Sequence, residues 1–211
     1  MTQPALEQLT AVVAARVRAL RGSSGISQAG LGERMTNLGI AWGRTSVQKL
    51  ETGKRGSVSA GELFALALVF DVPLPWLLVD PEAGTAVPIA KGVEVDPWTA
   101  LWWLVGKRPL TDPPGPTWDT AAAPIRQACQ VATLAERFSQ VRQHHEIVAA
   151  MLPDGQDADR AAEDERQERR VLADLARPLR ALDKLGFPPP PLPGDLVQRA
   201  GELGVELDGE G

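Results

Sequence analysis

The first eighty residues are cut into short helical stretches by their own glycines and hydroxyl side chains, and this punctuation limits the chain more than any other feature. Leu9, Val12, Val13, Arg16, Val17 and Leu20 recur at spacings of three and four, which predicts an amphipathic helix over 5–21, stopped by Gly22 and Gly25. Ser27 is placed to N-cap a second helix with Ala29, Leu31 and Met35 inward. Gly30 and Gly32 weaken the intrinsic propensity of that helix, so its presence implies close packing against a neighbour. After a turn over 36–43, Thr45-x-x-Gln48 has capping-box spacing and predicts a third helix with Val47 and Leu50 inward, ended by Gly53 in the left-handed conformation. Ser59 caps a fourth helix over 60–70 that buries Leu63, Leu66, Ala67 and Phe70, and 73–78 forms a fifth. Helices this short are marginal alone, so they must share one core.

Beyond a boundary at 80–84, Val87, Ile89, Val93 and Val95 alternate around Lys91-Gly92 as in a hairpin, and Asp96-Pro97 has the N-cap and N1 order of a helix carrying Trp98, Leu101, Trp102 and Leu104. Five prolines and Gly115 make 109–124 a loop, so 81–124 is a Trp-rich connecting region. Ile125, Cys129, Ala132, Ala135, Phe138, Val141, His145, Val148 and Leu152 predict a long helix, broken by Pro153-Asp154-Gly155. A second charged helix from Ala158 presents Val171, Leu172, Leu175, Leu179, Leu182 and Leu185, with Pro178 kinking it or opening a new helix. The apolar stripe of this hairpin, 125–187, needs a partner, and a second copy of the hairpin is one. A polyproline spacer at 188–191, a short helix over 195–203 and a tail complete the chain. The fold class is mainly α: an N-terminal five-helix domain over 1–80, then a mostly helical C-terminal region with a long helical hairpin.

The formal charge of −5 over 211 residues argues weakly against a nucleic-acid partner only while it is read as an average. Between residues 14 and 56, Arg16, Arg18, Arg21, Arg34, Arg44, Lys49, Lys54 and Arg55 face only Glu33 and Glu51, a net of +6. Residues 81–211 carry −7. No apolar run is long enough to cross a membrane, and the first twenty residues lack the order of a signal peptide. The lone cysteine, Cys129, cannot close an internal disulfide, and a reducing, cytoplasmic setting is the expectation. Arginine over lysine by 17 to 5, with heavy use of Ala, Gly and Pro, is the bias of a high-GC bacterial genome.

No phosphate loop, dinucleotide fingerprint or nucleophile elbow is present, so no enzyme, cofactor or catalytic residue is expected. His144-His145 and Cys129 do not make a metal site. Adjacent histidines point to different helix faces, and Cys129 lies about 24 Å from His145 along a straight helix.

Read along 16–78, Val17-Arg18-Ala19-Leu20-Arg21, Gly25-Ile26-Ser27-Gln28-Ala29-Gly30-Leu31, Thr45-Ser46-Val47-Gln48-Lys49-Leu50-Glu51-Thr52-Gly53-Lys54-Arg55 and Val72-Pro73-x-x-Trp76-Leu77-Leu78 stand in order. This combination resembles the Cro/cI-like, or XRE-type, helix-turn-helix family of phage and bacterial repressors. The resemblance implies a lambda-repressor-like five-helix domain that binds double-stranded DNA with its third helix in the major groove. It puts the base-reading positions on Arg44, Thr45 and Lys49, with Ser46 and Gln48 beside them. A turn of 100° per residue sets 44, 45, 48 and 49 opposite Val47 and Leu50. Gln28 corresponds to a phosphate clamp at a helix N-terminus, Lys54 and Arg55 to backbone neutralisation, and Arg21 with Glu51 to an internal ion pair.

The turn before the third helix is longer than in the smallest family members, and Trp42 within it either plugs the core or lies on the sugar-phosphate backbone. The leading reading is a sequence-specific, repressor-like transcriptional regulator acting as a homodimer through its C-terminal helices. An antitoxin or protein-interaction module using the acidic C-terminal region is the alternative. A further one is an effector-sensing regulator whose small ligand sits among Trp98, Trp102, Trp103 and Trp118.

Overall fold

The computed structural model describes residues 4–151 and 157–207. The chain parts into two compact units, Met1–Asp112 and Pro113–Gly211.

The first unit holds α1 (Pro4–Ser23), α2 (Gln28–Asn37), α3 (Arg44–Glu51), α4 (Ala60–Phe70) and α5 (Leu74–Leu78), followed by β1 (Val87–Ala90), β2 (Val93–Val95) and α6 (Pro97–Leu104). One core joins the five helices: Val13 and Val17 of α1, Leu31 and Met35 of α2, Val47 and Leu50 of α3, Leu66 of α4 and Leu77 of α5. Each of these side chains is worth about 1.5–3 kcal/mol on burial, which α3, at eight residues, could not obtain alone. The caps follow the sequence at α2 and α4. Ser27 Oγ accepts from Gly30 N at 3.0 Å, and Ser59 with Glu62 closes a reciprocal capping box.

At α3 the expected Thr45–Gln48 capping box does not form. The helix begins two residues earlier, with Gly43 rather than Thr45 at the N-cap and no side-chain cap. Gly43 is held there by backbone packing on Gly32, where a Cβ would lie 2.8 Å from Gly43 C and 3.1 Å from Arg44 N. On α4 the inward face also differs. Ala65 and Leu66 are buried, whereas Leu63, Ala67 and Phe70 are partly buried, because α1, α2 and α5 share the contact with α4.

Asp80 opens a turn by accepting from Glu82 N and Ala83 N at 3.1 and 3.2 Å, and the chain then returns to α1. The β1–β2 hairpin pairs Val87 with Val95 and Ala90 with Val93, turning at Gly92 (φ +74°). Val79, Val87 and Ala100 form a small second core with Leu9 of α1. Asp96 caps α6 through Thr99 N at 3.0 Å.

The second unit holds α7 (Trp118–Met151), α8 (Asp157–Lys184) and α9 (Gly194–Glu202). The loop expected over 109–124 ends earlier. Gly115 and Thr117 carbonyls accept from Trp118 N and Ala121 N at 3.0 Å, so the helix starts ahead of Pro124 and carries it inside. Pro178 likewise lies within α8 without ending it. The buried stripe of α7 runs through Val131, Ala135, Phe138 and His145, with Ala122 also buried near the start of the helix, while Ile125, Cys129 and Ala132 are exposed. This stripe packs on Val171, Leu172, Leu175, Leu179 and Leu182, and Leu196, Ala200 and Leu203 of α9 complete the core. Leu185, expected inside, lies past the end of α8 and is exposed. Leu152 and the Pro153-Asp154-Gly155 break fall outside the described residues.

Candidate nucleic-acid interface

The helix α3 is divided cleanly by burial. Val47 and Leu50 have no exposed surface, Arg44, Thr45, Gln48 and Lys49 are exposed, and Ser46 is intermediate. The four exposed residues occupy two adjacent rows, 44 with 48 and 45 with 49, as helical geometry requires. Gly53 (φ +66°) terminates the helix and lets Lys54 N bond back to Lys49 O at 2.8 Å, which leaves Lys54 exposed just beyond the helix end. Arginine and lysine donors on such a face can reach guanine O6 and N7, and a threonine methyl can meet thymine.

Three of the eight basic residues counted in the sequence are spent inside the fold. Arg16 is 6% exposed; it donates to Trp76 O at 3.1 Å, pairs with Asp80 at 3.4 Å and lies 4.4 Å over the Trp76 ring. Arg21 donates to both oxygens of Glu51, at 2.7 and 3.1 Å, and to Ile26 O at 2.9 Å. Arg55 bonds Glu62 and Ser57 O and stacks over Trp42. Arg18, Arg34, Arg44, Lys49 and Lys54 remain exposed, against Glu33 as the one exposed carboxylate between residues 14 and 56. The cationic field of the sequence is therefore reduced in number and concentrated on α1, α2, α3 and the turn after it.

Gln28 sits at the first position of α2, as the sequence placed it, and its Nε2 donates to Glu51 Oε2 at 2.8 Å. Glu51 thus joins α1, α2 and α3. Burial pushes its carboxyl up, but the hydrogen bonds from Arg21 and Gln28 and the charges of Arg21 and Arg18 outweigh this and hold it below the ordinary range. Glu62 behaves alike: burial raises it, and the Ser59 amide, Trp42 and Arg55 bring it lower. A carboxylate depressed in the folded state contributes stability above its unfolded pKa of about 4.3, lost as pH falls through the folded value. Acidification below about pH 4.5 is expected to lower the melting temperature of the first unit. Glu51→Gln should cost about 2 kcal/mol at pH 7 and melt with a visibly flatter pH profile below 4.5. Parallel profiles for the two proteins would remove Glu51 from this role.

Sequence reasoning counted Arg18 and Arg34 in the cationic segment without assigning them a role, and it missed the bond from Trp42 Nε1 to Glu62 Oε1 at 2.8 Å. The Ser59-x-x-Glu62 spacing was the available signal for that bond. Trp42 itself is 5% exposed and fills the core.

Elsewhere, His145 lies at the α7–α8 seam with Nε2 3.1 Å from Gln167 Oε1 and Nδ1 3.4 Å from Glu168 Oε1, while His144 is exposed. Among the described residues no group of three His, Cys, Asp or Glu side chains is placed to hold a metal ion, and no helix is long and apolar enough to cross a membrane.

Compared with known proteins, the chain matches the helix-turn-helix domain family over residues 12–75. No curated protein and no solved structure matches it. The matched segment runs from within α1 into α5 and contains α2, α3 and α4 whole. Residues 12–75 of this chain are a helix-turn-helix domain of the Cro/cI, XRE type.

Proposed function

We propose that the protein is a sequence-specific transcriptional regulator, repressor-like in action, that lays α3 in the DNA major groove. The observation that carries this reading is the division of α3: two hydrophobic residues wholly buried, and Arg44, Thr45, Gln48 and Lys49 exposed on a helix whose ends are both pinned by neighbours. Arg44, Thr45 and Lys49 read base edges, Ser46 and Gln48 support them, and Lys54 neutralises backbone phosphate. Gln28 contributes through the α2 N-terminus, since its side-chain amide is bonded to Glu51. The acidic remainder of the chain repels DNA and discourages binding in other orientations.

The protein acts as a homodimer through the second unit, with two recognition helices about 34 Å apart on a pseudo-palindromic site. The hairpin stripe is covered by α9, so a subunit contact falls instead on apolar residues that stay exposed. Ile147 and Met151, one turn apart on α7, are the leading pair. This role places the protein with bacterial DNA in the cytoplasm.

Selection of bound duplexes from random sequence tests the reading. The expected result is a two-fold motif with half-sites one helical turn apart and a conserved G·C pair in each. A library without enrichment, at salt low enough for phosphate contacts to hold, would overturn it.

A further inference from the structure

We infer that Arg55, Glu62 and Trp42 form a clamp that sets the position of α3, so that Arg55 and Trp42 are positioning residues for DNA recognition and make no contact with the phosphate backbone. The inference rests on the DNA-reading role proposed for α3. Two irregular segments flank that helix: 38–43 leads in from α2 and 52–59 leads out to α4. Neither has regular backbone pairing of its own, yet the orientation of Arg44 and Lys49 depends on both.

The three side chains bridge these segments. Trp42, two residues ahead of Arg44, donates from Nε1 to Glu62 Oε1 at 2.8 Å, and its carbonyl accepts from Thr36 Oγ1 of α2 at 2.8 Å. Arg55, in the exit segment, stacks its guanidinium 4.8 Å from the Trp42 ring centroid, donates to the same Glu62 oxygen and bonds Ser57 O at 2.9 Å. The other oxygen of Glu62 accepts from Ser59 N at 2.8 Å, which fixes Glu62 at the first turn of α4. Entry, exit and the next helix are thereby tied at one carboxylate.

The charge of Arg55 is matched at contact by Glu62, and one face of its guanidinium is covered by indole. A phosphate would have to displace that partner and would release little additional counterion. Lys54, adjacent in sequence, is exposed and makes no ion pair among the described residues, so it serves as the contrasting phosphate contact.

The test uses the full chain and the duplex recovered by selection, with affinity measured by fluorescence anisotropy across a salt series. A phosphate contact contributes about 0.9 to the log–log salt slope per subunit, whereas a positioning residue contributes none. Arg55→Ala and Trp42→Phe are expected to weaken binding about tenfold, to narrow the ratio between selected and scrambled duplex, and to leave the salt slope unchanged. Lys54→Ala should reduce the slope by about 0.9 per subunit with that ratio unchanged. Arg55→Lys should fail to rescue, because an ammonium cannot stack and bond in the guanidinium's planar manner, although it would serve a phosphate well.

A slope loss in Arg55→Ala, or full affinity in Arg55→Lys, overturns the clamp while the DNA reading stands. Failure to recover any duplex overturns both. Unchanged affinity and unchanged discrimination in Trp42→Phe and Arg55→Ala alike also overturn the clamp.

Discussion

Gly32→Ala is expected to destabilise the helix-turn-helix unit by about 1–3 kcal/mol, and Gly32→Val by more, whereas Gly61→Ala should stabilise it by about 0.5–1 kcal/mol. Both glycines are helical, so propensity alone favours alanine at each. What separates them is the space around the missing side chain. A Cβ on Gly32 would stand 2.8 Å from the carbonyl carbon and 3.0 Å from the Cα of Gly43, both backbone atoms, while nothing lies within 4 Å of a Cβ on Gly61. Relief at Gly32 requires α2 to move away from the N-cap of α3, and no side chain can swing aside to avoid this.

Urea unfolding followed by tryptophan emission reads the unit directly, since Trp42, Trp76, Trp98, Trp102 and Trp103 lie in it and Trp118 alone lies in the other. Equal midpoint shifts for Gly32→Ala and Gly61→Ala would mean that the close approach does not constrain the fold. DNA affinity should fall in Gly32→Ala beyond its loss of stability, because the displaced atoms include Arg44 N.

The same contact shows what sequence could and could not convey. Glycines at 30 and 32 signalled close packing, yet their separate roles were hidden, since Gly30 faces only Ser27 Oγ at 3.3 Å and Ile26 Cγ2 at 3.7 Å. The five helices, and the caps at Ser27, Gly53 and Ser59 together with that of α6 at Asp96, were legible because these residues act within a few residues of themselves. The start of α3 was misplaced because it is set by a backbone contact eleven residues away, which leaves no local pattern. In the second unit a proline was read as a boundary at 124, where preceding carbonyls had already nucleated the helix.

The exposed face of α3 was legible from periodicity, since burial of Val47 and Leu50 follows from their spacing. The assignment of individual cations was not. Arg16 and Arg55 look like their neighbours in sequence, but Asp80, far along the chain, holds Arg16 in a buried ion pair, and Glu62 engages the partly buried Arg55.

Arg44→Ala combined with Lys49→Ala is expected to abolish recognition of the selected duplex, with affinity reduced at least a hundredfold, and to leave the melting temperature nearly unchanged. A lost bidentate contact to a base costs about 1–3 kcal/mol, and a dimer loses each contact twice. Both residues are exposed, and Val47 and Leu50 still hold α3 in the core, so the stability change should stay within about 0.5 kcal/mol. This separation of binding from folding distinguishes the candidates for function. A module that uses the same fold to hold a protein partner against its acidic unit would keep that partner in the double variant. A cation-only attachment to DNA would lose affinity for selected and scrambled duplexes by the same factor. Only base reading by α3 predicts that the discrimination between the two duplexes collapses while the residual, salt-sensitive affinity carried by Arg18, Arg34 and Lys54 persists. The −5 of the whole chain is no guide to that residual, because the five exposed cations of residues 14–56 are separate along the chain from the acidic 81–211 segment.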